Sequence, residues 1–249
     1  MNRNELVSRL DELLSASKFK DYCPNGLQVE GPTEVSRIVT GVTASAELIE
    51  RAIEMKADAL LVHHGYFWKG EPEPITGIKA NRIKALIKSD INLIAYHLPL
   101  DAHPELGNNA QLASLLGIEQ QGVLGDPDTS VLAWGQFNKP VSGAALASCL
   151  KEKLNRKPLH SSVVDEISKV AWCTGGGQDF IEQAAEAGCD AFISGEVSER
   201  TILLSRELGI DYFAAGHHAT ERYGIKALGE YIAGNFGIEV NFVDIDNPA

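Results

Sequence analysis

The sequence predicts an α/β fold of two similar lobes, each a mixed or parallel sheet flanked by helices. Three observations predict it. Helical periodicity alternates with short apolar strands along the chain, as in successive βαβ units. A stretch of thirty residues recurs 132 positions later without a gap. Hydrophobic residues at 44% and charged residues at 22% give an ordinary globular balance. No apolar run approaches the ~18 residues that a membrane-spanning helix needs.

The elements follow in order. Residues 3–15 set Leu6, Leu10, Leu13 and Leu14 on one helical face, so a helix should pack on the core. Tyr22-Cys23-Pro24-Asn25-Gly26-Leu27-Gln28 reads as a turn, with Asn-Gly supplying positive φ. Residues 36–42 are β-rich, 47–56 helical, and 59–62 a short buried strand that ends at His63-His64-Gly65.

The repeat then sets residues 36–65 over 168–197. Ser36/Ser168, Ile49/Ile181, Glu50/Glu182, Ala52/Ala184, Glu54/Glu186, Asp58/Asp190 and Ala59/Ala191 are identical, and each copy reads strand, turn, helix, strand. Residues 83–101 and 202–221 extend the likeness. Both read helix, loop, apolar strand, then a histidine followed four residues later by a carboxylate, His97 to Asp101 and His217 to Glu221. Glycines and prolines gather around β-rich pieces in residues 117–168, so the lobe boundary is expected near 125, dividing 1–125 from 126–249. A helix over 220–235 and a strand over 239–245 close the chain and can pack back on the first lobe.

The formal net charge of −12, with no cluster of Lys or Arg, argues against a protein that tracks a nucleic-acid backbone. The polar N-terminal segment has no signal-peptide core, which predicts a cytoplasmic protein. Cys23, Cys149, Cys173 and Cys189 show no CxxC spacing and read as small core or turn residues.

Six of the seven histidines fall in three short segments: His63-His64, His97 with His103, and His217-His218. His160 stands alone in a polar stretch and reads as a surface residue. Each segment follows an apolar strand, and α/β sheets bind ligands beyond the carboxyl ends of their strands. A lone His-His pair is more often structural. Three such turns together point to a site for divalent cations such as Zn, Fe, Mn, Ni or Co, which imidazole and carboxylate ligands suit.

His63, His64, Asp101, His217 and Glu221 are the candidate ligands, more than one zinc needs. Adjacent histidines on an extended chain face opposite sides, so His63 and His64 are expected to serve two ions. His97 reads as a residue that orients a ligand, and His103 and His218 as supporting or structural. Thr174-Gly175-Gly176-Gly177, between a strand and a helix, offers backbone N–H groups that could cradle an anion, against a plain reading as a tight turn. Glu196, at the repeat position of His64, is a candidate general base, and so is His97. The aromatics Tyr66, Phe67 and Trp68 could floor a pocket for a flat ligand or simply pack.

The segments LLVHHGYFWKG, HLPLDAHPELGNNAQLA, GEVSE and AAGHHATER, with the early PNGLQVEG, resemble the dinuclear-metal family of GTP cyclohydrolase 1 type 2 homologues, the NIF-three family. The resemblance runs nearly the full length. It implies that His63, His64, Asp101, His217 and Glu221 bind two metal ions. It also implies two similar α/β lobes, here in the compact form without an inserted domain, and a toroidal homohexamer. The implied activity is opening of a purine ring on GTP by water that the metals activate, with release of formate. A phosphoesterase acting on a small-molecule substrate and a non-catalytic, ring-forming metal scaffold remain the alternatives.

Overall fold

A computed structural model describes all 249 residues. Its first half runs α1 (Arg3–Leu13), β1 (Gly26–Val29), β2 (Arg37–Thr43), α2 (Ala46–Glu54), β3 (Ala59–His64), α3 (Gly77–Lys88), β4 (Asn92–Ala95), α4 (Leu98–Ala102), α5 (Asn108–Leu116) and β5 (Glu119–Val123). There follow β6 (Ala133–Val141), α6 (Gly143–Leu154), β7 (Leu159–Ser161), β8 (Ile167–Cys173), α7 (Ile181–Glu186), β9 (Ala191–Ser194), α8 (Glu199–Leu208), β10 (Asp211–Ala214), α9 (His217–Phe236) and β11 (Glu239–Phe242).

The chain forms two compact units: Met1–Leu100 with Gly224–Asp246, and Asp101–Tyr223 with Asn247–Ala249. The first contains a five-stranded sheet of order β1-β4-β3-β2-β11, the second a six-stranded sheet of order β5-β6-β8-β9-β10-β7. The division expected near residue 125 lies elsewhere, between residues 100 and 101. Residue 125 falls in the connection between β5 and β6, which pair antiparallel inside the second unit. The Gly and Pro residues there mark a hairpin rather than a linker.

The duplication read from the sequence is present in the fold. Each unit holds a βαβαβ core of three parallel strands, β2-β3-β4 and β8-β9-β10, with an antiparallel strand beside the last, β1 or β7. Even the register repeats. Ile38 stands against Ala59 in the first unit and Val170 against Ala191 in the second, the same pair shifted by 132 positions.

Two of the seven identities explain that register. Asp58 Oδ2 accepts from the Ser36 and Arg37 backbone N–H groups and from Ser36 Oγ, each at 2.8 Å. Asp190 Oδ2 accepts from the Ser168 and Lys169 N–H groups at 2.9 and 2.8 Å. In both units a carboxylate at the start of one strand therefore pins the start of its neighbour. Ser36 adds its own hydroxyl to the first of these clamps.

Helix α2 shows how the sequence turns pattern into packing. Ser45 caps it by accepting from the Leu48 N–H at 3.2 Å, and Leu48, Ile49 and Ala52 form the buried stripe. The stripe joins Val39, Leu60, Val62 and Leu93 in the first core. Truncating one of these leucines to Ala costs about 2–5 kcal/mol. In the second unit Ile181 and Ala184 of α7 meet Phe192, Tyr212 and Ala214 in the same way. Because the core strands of each unit are parallel, their carboxyl ends share one edge of that sheet, and the histidine turns leave from these edges.

Candidate metal centre

In the first unit, His63 and His64 end β3 and His97 follows β4. Ligand atoms of these three histidines lie within 4.8 Å of one another. The His63 and His64 rings do not face opposite sides of the strand. Their centroids are 4.5 Å apart, with His97 5.1 Å from His63 and 5.7 Å from His64. Strand β3 stops at His64, which releases the alternation that an extended chain would impose.

Each ring is oriented by a partner on its Nδ1. His63, fully buried, directs Nδ1 at the Tyr96 carbonyl at 2.9 Å. A carbonyl only accepts, so the proton sits on Nδ1 and the lone pair of the neutral ring is on Nε2. His64 Nδ1 lies 3.1 Å from Thr43 Oγ1. His97 Nδ1 lies 2.7 Å from Asp21 Oδ1.

The early turn supplies this support. Asn25 donates to Asp21 Oδ2 at 2.9 Å and accepts the His97 N–H at 2.8 Å. Burial would raise the pKa of Asp21, but the His97 hydrogen bond and charge, with Asn25 and the Tyr22 N–H, carry it below the ordinary carboxylate value. Gln28 Oε1 accepts the Tyr66 N–H at 2.7 Å and so fixes the segment after the His-His pair. Trp68 meets His97 edge to face with centroids 4.9 Å apart, so it walls the cluster. Tyr66 is instead anchored in the core through its hydroxyl on the Ala44 carbonyl at 2.7 Å.

In the second unit Asp101 and Glu221 are 5% and 3% exposed, and their carboxylate oxygens lie within 4.8 Å. Two buried like charges at that range repel strongly unless a cation compensates them. Asp101 Oδ1 accepts from Asn108 Nδ2 at 2.8 Å and from Thr174 Oγ1 at 3.2 Å. His217, at the first turn of α9, has Nδ1 2.7 Å from Glu196 Oε1 and Nε2 3.2 Å from Glu221 Oε2. Burial would lower the pKa of His217, but Glu221 and then Glu196 overcome it and push it up to about 9. A cation taking Nε2 therefore competes with a proton.

Glu196, whose side chain is about half exposed, acts on His217 from outside rather than among the buried acids. Burial with the charges of Asp101 and Glu221 holds the Cys173 thiol well above its ordinary pKa, and burial with Asp21 pushes Cys23 up to about 12. These thiols stay protonated, in keeping with their reading as core residues.

The Gly-rich turn packs against the Glu221 carboxylate. The Gly175 N–H donates to Thr220 Oγ1 at 3.0 Å and the Gly177 N–H to Ser194 Oγ at 3.1 Å, so two of its three amides are spent internally. Gly175 has φ +64°, and a Cβ there would fall 2.0 Å from Glu221 Oε1. The turn is glycine because the carboxylate occupies the space of a side chain. His103 is structural, its Nδ1 accepting the Glu105 and Leu106 N–H groups at 3.2 and 3.0 Å. His160 is not a plain surface residue: it lies 2.7 Å from fully buried Asp211 and stacks on Phe213 at 4.2 Å.

Asp21, Thr43 and Asn108 carry support that the sequence did not single out, and Asn25, Gln28 and Thr174 were read there only as turn residues. Their position beside the motifs in PNGLQ and GNNAQ was the one available hint. The donors fit divalent cations: imidazoles in one unit, with the His63 tautomer fixed by a carbonyl, and buried carboxylates beside an imidazole in the other. No helix is long and apolar enough to cross a membrane.

Comparison with known proteins finds relatives along the whole chain. The chain matches the profile of the family described as Duf34/NIF3 (NGG1p interacting factor 3) over residues 1–248. It is 62% identical over 252 residues to a Vibrio cholerae protein called GTP cyclohydrolase 1 type 2 homolog, covering 100% of both chains. A solved structure described as protein ybgI, of unknown function, superposes with a TM-score of 0.97 at 54% identity over 100% of both chains. The crystal structure of TTHA1606 from Thermus thermophilus superposes with a TM-score of 0.90 at 35% identity, again over 100% of both.

Proposed function

The chain belongs to the Duf34/NIF3 family, and from that premise we propose that it is a hydrolase using two divalent metal ions held by His63, His64, Asp101, His217 and Glu221. The observation that carries the reading is the pair of buried carboxylates, Asp101 and Glu221, within 4.8 Å of one another. Bound there, the cations would supply Lewis acidity and make coordinated water acidic near neutral pH.

The protein's own groups would then orient and move protons. The Tyr96 carbonyl fixes the His63 tautomer, and Glu196 holds the Nδ1 proton of His217. Glu196 and the Asp21–His97 pair would be the groups that pass a proton to a leaving nitrogen. The curated relatives' name points to GTP, whose ring C8 would be hydrated and lost as formate. A nucleotide is accordingly the proposed substrate.

Metal analysis of the purified protein should give two equivalents per chain, and His63→Ala should lose at least one. Loaded protein should release formate from GTP. Phosphate in place of formate would make it a phosphoesterase. Release of neither, with metal present, would leave a binding or scaffold protein. A toroidal hexamer belongs to this proposal as well, and mass photometry of the loaded protein tests it.

A further inference from the structure

The two amides spent inside the Gly-rich turn leave the anionic part of a nucleotide without the receptor expected there, and the second unit offers another. Helix α6 ends at Leu154, and Asn155 takes a left-handed conformation with φ +51° that turns the chain. The turn is bolted to α9, because Arg222 Nη2 donates to the Leu154 carbonyl at 2.5 Å and Tyr223 Oη to the Lys153 carbonyl at 2.7 Å.

This delivers Arg156 onto Gly216, the residue immediately before His217. A Cβ at Gly216 would fall 2.5 Å from Arg156 Cδ and Nε and 3.1 Å from Cζ, so the guanidinium lies directly over the turn. Gly216 itself has φ +102°. Arg156 Nε is buried with no hydrogen-bond partner, and the side chain makes no ion pair. By contrast Arg3, Arg9, Arg37, Arg51 and Arg200 each meet a carboxylate. Arg82 also has a buried Nε without a hydrogen-bond partner, so what sets Arg156 apart is its place over the turn that carries His217.

We infer that Arg156 receives a phosphate group of the ligand bound at the proposed metal centre. The planar guanidinium fork matches two phosphate oxygens, and a half-buried setting strengthens the pairing. The inference rests on the metal-centre reading for its location, while Arg156 itself binds no metal.

The test uses calorimetric titration of metal-loaded protein with inorganic phosphate, GTP and guanosine, for wild type, Arg156→Gln and Arg156→Lys. Arg156→Gln should keep wild-type metal content and melting temperature, bind phosphate and GTP at least tenfold more weakly, and bind guanosine as wild type does. Arg156→Lys should retain part of the phosphate affinity, having charge without the fork. Undiminished GTP and phosphate binding by Arg156→Gln overturns the inference. So does loaded wild type that binds neither, or a variant losing metal and melting temperature together. A chain that takes up no metal overturns the metal-centre reading instead, and phosphate titration of that metal-free chain then decides Arg156 by the same comparison of variants.

Discussion

Gly175→Ala separates a metal site from a merely structural turn. The new Cβ would sit 2.0 Å from Glu221 Oε1, 2.9 Å from its Cδ and 3.0 Å from His217 Nε2. Ordinary contact begins near 3.4 Å, so the carboxylate would have to retreat by about 1.4 Å, far beyond the ~0.2 Å tolerance of a metal–ligand bond. The left-handed backbone adds about 1–2 kcal/mol of strain for any residue with a Cβ. Gly188→Ala isolates that second effect, because Gly188 has φ +72° and nothing within 4 Å of its Cβ position.

Metal at one hundred times its Kd stabilises the native state by about 2.7 kcal/mol, which for a chain of this size raises Tm by roughly 5–11 °C. Thermal melts with and without metal, alongside elemental analysis, should show that increment intact in Gly188→Ala and abolished in Gly175→Ala. The metal-free melt should fall further in Gly175→Ala, which adds the clash with Glu221, than in Gly188→Ala, which carries the backbone strain alone. A Gly175→Ala protein that takes up metal like wild type would refute the placement of Glu221 and His217 as ligands.

Other perturbations test the supporting residues. Glu196→Gln removes the carboxylate that orients His217, and should weaken metal binding by about 10–100-fold in competition with a chelator while the metal-free melt barely moves. Tyr96→Phe loses the 2.7 Å bond to Asp11 but keeps the backbone carbonyl on His63, so stability should fall by about 1 kcal/mol in urea unfolding with metal content unchanged. Asp58 has burial raising its pKa, outweighed by Ser36 and Arg37, which leave it below the ordinary value. Its folded-state pKa is depressed, so its contribution is present above the unfolded pKa of about 3.9 and is lost as pH falls through the lower folded value. Asp58→Asn should therefore flatten the acid limb of the stability profile measured by urea titration between neutral and acid pH.

Much of this architecture was legible because it rests on local pattern. The repeated identities Ser36/Ser168 and Asp58/Asp190 return as matching strand clamps, and helical stripes such as Leu48, Ile49 and Ala52 return as core. The lobe boundary was not legible. Gly and Pro near 125 look the same in a linker as in the connection between paired strands, and only the pairing of β5 with β6 separates the two. The face that His63 and His64 present was also hidden, since alternation holds only while the strand continues. Nor could the sequence show that the Gly175 and Gly177 amides are taken by Thr220 and Ser194, because those acceptors come from a helix 45 residues away and a strand end 17 residues away.

The places where the two copies differ carry the functional argument. Residues that set register survive in both, whereas the strand ends diverge: His63-His64 in one copy and Gly195-Glu196 in the other. The divergence is complementary in chemistry. The first unit gathers imidazoles, with His63 Nδ1 directed at the Tyr96 carbonyl and His97 Nδ1 beside Asp21. The second gathers buried carboxylates, which supply the negative charge that a doubly charged cation requires. In the second unit Asp101 and Glu221 are both buried with carboxylate oxygens within 4.8 Å, and the His217 imidazole lies 3.2 Å from Glu221. Asp101→Asn should therefore relieve strain in the metal-free protein while destroying metal uptake. A rise in metal-free Tm paired with a loss of bound metal is the signature expected, and a fall in both would mean that Asp101 is held by the fold for its hydrogen bonds to Asn108 and Thr174 instead.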